Sequence, residues 1–180
     1  GLAYVIKARV QLLRDLGTAI SPNSAWLLIQ GIETLSLRME RHVQNTQDIA
    51  QWLESHPDVA SVNYSGLPSS PWYAAANKYA PRGVGAVISF ELKGGMLAGR
   101  ELVNNLSLFS HLANIGDVRS LVIHPASTTQ SQLSPEAQLA GGVTPGLVRL
   151  SVGLENIDDI KADLEVGLAA ARALSEAARG

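Results

Sequence analysis

The sequence predicts an α/β (α+β) fold, a sheet covered by helices and preceded by a helical portion that has no sheet of its own. Three observations predict it. Apolar residues recur at helical spacing from Tyr4 to about Ser55. Short runs of branched and aromatic residues interleave with helical segments after Val59. Between the two regimes, His56-Pro57-Asp58 breaks the chain, because the residue before a proline is pushed out of the helical region. The expected division is therefore residues 1–57, helical, and residues 58–180, carrying the sheet.

Taken in order, Val5, Ile6, Val10, Leu12, Leu13 and Leu16 mark a first helix from Tyr4 to Leu16, with Gly17 as its stop. That periodicity begins at the first residues with no cap before it, so the natural start is expected upstream. Ser21-Pro22 gives an N-cap followed by proline at the first helical position, opening a short helix through Trp26-Leu27-Leu28-Ile29 to Gly31 that is expected to be tightly buried. A long amphipathic helix follows from Glu33 to about Ser55, its expected stripe formed by Leu35, Met39, Val43, Ile49, Trp52 and Leu53. Alternation predicts a half-buried strand over Val59–Tyr64. Prolines 68, 71 and 81 bracket a short helix around Trp72–Tyr79, and Ala86–Leu92 reads as a strand ended by Gly94-Gly95. Helix is expected over Met96–Leu108, extended chain over Ser110–Asn114 and Ser120–Ile123, a turn or two of helix over Pro135–Ala140, and strand over Leu147–Val152. Asn156 caps a last helix, Ile157–Ala178, whose Asp158 and Asp159 sit near its positive end.

Composition narrows the function. A formal charge of -2, spread without runs, offers no basic face for nucleic acid or anionic lipid, so small molecules or protein surfaces are the expected partners. The absence of cysteine removes disulfides and thiolate metal sites, and the four histidines lack ligand spacing, so no metal is expected. No apolar run approaches the ~20 residues of a bilayer span, and a cytoplasmic location is expected.

Leu147-Val148-Arg149-Leu150-Ser151-Val152-Gly153 places an arginine within a branched-aliphatic strand. A guanidinium taken out of water needs an anion, and its planar fork suits a carboxylate. The alternative is an edge-strand arginine facing water or paired with an internal acid. In His111-Leu112-Ala113-Asn114-Ile115-Gly116-Asp117, Asn114 offers two donors and an acceptor beside a glycine that permits close backbone approach; an ordinary Asn-Gly-Asp turn is the alternative. His124-Pro125-Ala126-Ser127 invites a hydrolase reading, yet Ser127 lacks the glycines of a nucleophile elbow and Pro125 argues for a fixed loop. Lys93-Gly94-Gly95-Met96-Leu97-Ala98-Gly99 has Met96 where a dinucleotide loop needs glycine. Lys7, Lys78, Lys93 and Lys161 lie on helices or at strand ends among polar neighbours, where none is a Schiff-base former.

Three strings carry a resemblance: Leu35-Ser36-Leu37-Arg38-Met39-Glu40-Arg41-His42, Ser120-Leu121-Val122-Ile123-His124-Pro125-Ala126-Ser127-Thr128-Thr129, and Gly146-Leu147-Val148-Arg149-Leu150-Ser151-Val152-Gly153-Leu154-Glu155. In order and spacing, from about Arg9 to Ala171, the chain resembles the Cys/Met-metabolism enzymes that use pyridoxal 5'-phosphate (PLP). Within that family, the stretch Phe109 to Gly116, with its Asn114-Ile115-Gly116, is most similar to the O-acetylhomoserine sulfhydrylase branch; cystathionine γ-synthase and methionine γ-lyase are the alternatives within the family, and a non-catalytic binding or oligomerisation module is the alternative outside it. The resemblance implies the C-terminal small domain of a fold-type I PLP-dependent transferase preceded by the last helices of the large cofactor domain. It also implies a homotetramer in methionine biosynthesis acting on O-acetyl-L-homoserine and sulfide. It carries the substrate α-carboxylate contact onto Arg149 and a pocket-lining position onto Asn114. The segment with the Schiff-base lysine is absent, as are the residues that grip the ring and phosphate, so no catalytic or cofactor-binding residue is expected in this chain, and PLP would be held by the part of the enzyme outside it. Gln130 stands where similar sequences usually have histidine, and Asn23-Ser24 where they have a more apolar pair.

Overall fold

The computed structural model describes residues 2–177. They form two compact units that divide between Ser36 and Leu37.

The first unit is helical. A continuous run comprises α1 (Ala3–Lys7), a π-type segment (Ala8–Leu13) and α2 (Arg14–Leu16), closed by Gly17 at φ +90°. Helix α3 (Pro22–Glu33) starts where the Ser21-Pro22 pair predicts, with Ser21 Oγ accepting from Ser24 N at 3.1 Å. Its expected tight burial is not found: Trp26, Leu27, Leu28 and Ile29 are all more than half exposed. Two helical stretches this short enclose no interior of their own, and none of their described residues is buried.

Helix α4 (Leu35–Glu54) runs into the second unit; its inward stripe keeps Ile49, Trp52 and Leu53 of the expected one but departs from it in the N-terminal half. His42, Thr46, Ile49 and Leu53 are buried, with Asn45 and Ala50 beside them, while Leu35 and Met39 remain exposed. The stripe is polar at its start because those side chains meet backbone carbonyls of residues 152–155. His42 Nδ1 lies 2.7 Å from Val152 O, and Asn45 Nδ2 donates to Gly153 O and Glu155 O, both at 3.0 Å.

Five strands follow, β1 (Val59–Asn63), β2 (Val87–Leu92), β3 (Ser110–His111), β4 (Leu121–Ile123) and β5 (Leu147–Ser151), in the spatial order β1-β2-β5-β4-β3. All neighbours are antiparallel except β3 and β4. Period-two alternation sends Ile88, Phe90, Leu92, Val148 and Leu150 to one face. There α6 (Gly95–Asn104) and α8 (Ile157–Ala177) pack on them through Leu102, Ile160, Leu164 and Leu168, each 0 % exposed. Gly167 permits the close crossing of these helices, since a Cβ there would meet Leu102 O at 2.9 Å. Short helices α5 (Tyr73–Tyr79) and α7 (Pro135–Ala140) lie in the connections.

Helix α6 ends four residues before the expected Leu108. The cause is Asp163 on α8, whose carboxylate accepts from Ser107 N, Ser107 Oγ, Leu108 N and Phe109 N, drawing those amides away from any helical ladder. Similarly the extended chain expected over Ser110–Asn114 stops at His111, after which residues 112–116 turn. Asn156 caps α8 as expected, its Oδ1 accepting from Asp158 N at 2.9 Å; of that helix's expected range, Ala178 lies outside the described residues.

Candidate functional site

The alternation that buries Val148 and Leu150 in the core sends Leu147, Arg149 and Ser151 to the opposite face of the sheet, where Leu147 and Arg149 are half-buried and Ser151 is buried. Ser89 of β2 and Ile123 of β4 flank Arg149 in register. Over this face lies a cavity of about 470 Å³ whose lining includes Arg149, Ser89, Tyr64, Thr129, Gln130 and Leu147. No carboxylate lines it. The acid nearest in the pattern, Glu91, lies on the same face of β2, but its oxygens accept from Gly146 N at 3.0 Å and from the Thr144 hydroxyl. Among the described residues Arg149 makes no ion pair, and it is half-buried beside a cavity of mixed polar and apolar lining that holds no acid. A guanidinium so placed has N–H donors that no internal acid engages, and their planar fork matches the geometry of a carboxylate.

Arg149 and Asn114 are brought together. Arg149 Nη2 donates to Asn114 O at 3.1 Å, while the Asn114 side chain turns back on its own turn, its Oδ1 accepting from Ile115 N at 2.9 Å. Asn114 is exposed beside the cavity and outside its lining. The segment is the turn that its Asn and Gly favour, and it meets Arg149 through the Asn114 backbone carbonyl, not through the side-chain amide.

Tyr64, Ser89 and Ser151 were not singled out by sequence reasoning. The available signal was the alternation in Val87-Ile88-Ser89-Phe90-Glu91-Leu92, which puts Ser89 and Glu91 on the face opposite the core. Tyr64 donates its hydroxyl to Gly85 O at 3.0 Å, and burial pushes its pKa up to about 12, so it serves as a neutral donor and not as a base.

The other candidates are structural. His124 Nδ1 lies 2.8 Å from Ser127 Oγ, the contact a Ser–His pair would need, but Nε2 lies 2.7 Å from Pro145 O. A ring nitrogen facing a carbonyl must be the protonated one, so Nδ1 accepts from Ser127 and no acid orients the pair. His124 is 1 % exposed and packs on α6 at Gly99, where a Cβ would come within 2.5 Å of the ring. Burial, its largest cause, lowers the His124 pKa, helped by the charge of Arg100. Among the described residues no cluster of His, Asp or Glu could hold a metal ion.

The family model for the Cys/Met metabolism PLP-dependent enzymes matches residues 3–169. The O-acetyl-L-homoserine sulfhydrylases of Leptospira meyeri and Thermus thermophilus are 57 % and 56 % identical over 168 residues, 93 % of this chain and 38 % and 40 % of theirs. A solved O-acetylhomoserine (thiol)-lyase of Campylobacter jejuni, which carries a pyridoxyl-lysine, superposes with a TM-score of 0.81 at 44 % identity, covering 92 % of this chain and 39 % of that one. A cystathionine γ-lyase of Lactobacillus plantarum in complex with L-serine gives 0.77 at 38 % identity, over 87 % of this chain and 41 % of that one. The chain therefore spans about two fifths of the length of the relatives it matches, and it belongs to the Cys/Met metabolism PLP-dependent enzyme family.

Proposed function

We propose that this chain is the C-terminal part of a PLP-dependent O-acetylhomoserine sulfhydrylase, which converts O-acetyl-L-homoserine and sulfide to homocysteine and acetate for methionine biosynthesis. Residues 58–180 form its small domain, and residues 1–57 are the helical end of the cofactor domain with the interdomain helix. The observation that carries the reading is Arg149, a cation with no carboxylate partner in a cavity without acids, on a fold whose relatives act on amino acids. Sulfhydrylases among the relatives favour this branch over the cystathionine γ-synthase, methionine γ-lyase and non-catalytic readings.

The residues present do not fit the cofactor by themselves. PLP requires a lysine for its aldehyde and donors for its phosphate. No lysine lines the Arg149 cavity: Lys93 Nζ donates to Pro57 O, Lys78 lies over the Tyr79 ring at 5.0 Å, and Lys7 and Lys161 sit on α1 and α8. The cofactor's chemistry thus belongs to the remainder of the protein, and this chain's share is to bind and orient substrate. A carboxylate held by Arg149 fixes one end of the amino acid, which removes much of the orientational freedom that otherwise opposes reaction. Large exposed apolar side chains on residues 2–37 offer the surface on which further protein packs. The resemblance extends the reading to a homotetramer working in the cytoplasm.

In the full-length enzyme, Arg149→Ala is expected to lower kcat/KM for O-acetyl-L-homoserine by about 100-fold, near 3 kcal/mol, as loss of a charge-assisted contact does. An unchanged kcat/KM removes Arg149 from the site. Sulfide, cysteine and methionine, each supplied in turn, identify the branch by product; homocysteine from sulfide is the expected one.

A further inference from the structure

β5 presents Arg149 and Ser151 on one face, two residues and about 7 Å apart, and both side chains end on the same turn. Arg149 Nη2 donates to Asn114 O at 3.1 Å, and Gly116 N donates to Ser151 Oγ at 3.1 Å. Little else holds that turn. Residues 111–116 are exposed; the segment enters the turn from the β3–β4 pairing at His111 and Val122, and within the turn Asn114 N donates to Leu112 O at 3.2 Å and Ile115 N to Asn114 Oδ1 at 2.9 Å. Gly116, at φ +75°, adopts the left-handed backbone there. Ser151 itself is 2 % exposed and does not line the cavity that Arg149 enters.

We propose that Ser151 is a positioning residue for substrate binding. Its hydroxyl fixes the 112–116 turn; the turn's Asn114 carbonyl then fixes one Nη of Arg149; and the rest of the planar guanidinium is aimed by that contact at the substrate's carboxylate. A guanidinium carries five N–H donors in one plane, so holding one determines the direction of the others. An arginine without that anchor keeps rotamer freedom that binding must then remove. The proposal rests on the carboxylate reading of Arg149 and adds a residue that touches no substrate.

The test uses the full-length, PLP-loaded protein with O-acetyl-L-homoserine and saturating sulfide. Ser151→Ala is expected to raise KM about tenfold with kcat changed less than about threefold, because an interaction acting through ground-state and transition-state binding alike moves KM alone. In the Arg149→Ala background the same substitution is expected to change KM by less than about twofold, the coupling that contact through a shared partner produces. Ser151→Cys keeps the volume and weakens the acceptor, so it carries the same split if Ser151→Ala does not fold. If Arg149→Ala leaves kcat/KM unchanged, the carboxylate reading falls and the proposal with it. If Arg149→Ala raises KM while the Ser151 variants do not, or if their effect persists undiminished beside Arg149→Ala, the role of Ser151 is overturned and the reading of Arg149 stands.

Discussion

The His124 ring is engaged at both nitrogens, and the direction of its pKa follows from where it sits. A buried imidazole beside Arg100 and His111 resists charging, so the folded state holds its proton less tightly than the unfolded chain does. The sign of the pH dependence is fixed by that difference. Above the unfolded value near 6.5 both states are neutral, and the residue contributes no slope. As pH falls below 6.5 the unfolded chain takes up a proton that the fold refuses, so stability drops until the lowered folded pKa is reached. The expected measurement is an NMR titration in which the His124 ring protons move with a midpoint below 6.5. A midpoint at or above 6.5 contradicts the neutral-strut assignment and reopens the Ser127 pair as chemistry.

At the scale of elements, the ends of α6 and α8 show what a single sequence does and does not disclose. Caps written in adjacent residues were legible: Ser21-Pro22 and Asn156 each start a helix as local chemistry dictates. The strand carrying Arg149 was legible too, because Val148 and Leu150 alternate with it. The end of α6 was not, since the group that ends it, Asp163, lies 54 to 56 residues further on. The apolar end of the α4 stripe, Ile49 and Leu53, was legible, but its polar start was not, for the same reason: His42 and Asn45 read as polar until Val152, Gly153 and Glu155 arrive to satisfy them. The Ser151–Gly116 bond joins residues 35 apart and left no local mark. Asp163, 8 % exposed and accepting four hydrogen bonds, is then the obvious element to remove. Asp163→Ala strands three backbone amides and is expected to cost about 3 kcal/mol in urea unfolding. A loss under about 1 kcal/mol would mean that water replaces the carboxylate there.

For the whole molecule, the position of the core decides which part of the chain carries stability. The buried apolar cluster begins at Ile49 and the buried polar residues at His42, whereas Leu12, Leu13, Leu16, Trp26, Leu28 and Ile32 are about half exposed or more. Exposed apolar side chains add nothing to the free energy of folding, and their helices, 14 residues or fewer each, are marginal in water without packing. The second unit, by contrast, closes its sheet with α6 and α8 on one face and seals the end of β5 with side chains of α4 from His42 onward. A chain that starts at Leu37 is therefore expected to unfold in urea with the same cooperativity, and with a stability within about 1 kcal/mol of the full chain, because the area exposed on unfolding hardly changes. It is also expected to bind less of a hydrophobic dye, since the exposed apolar side chains go with the deleted helices. Loss of the cooperative transition on deleting residues 1–36 would show that the first unit's helices hold the sheet domain together, against the division that the core describes.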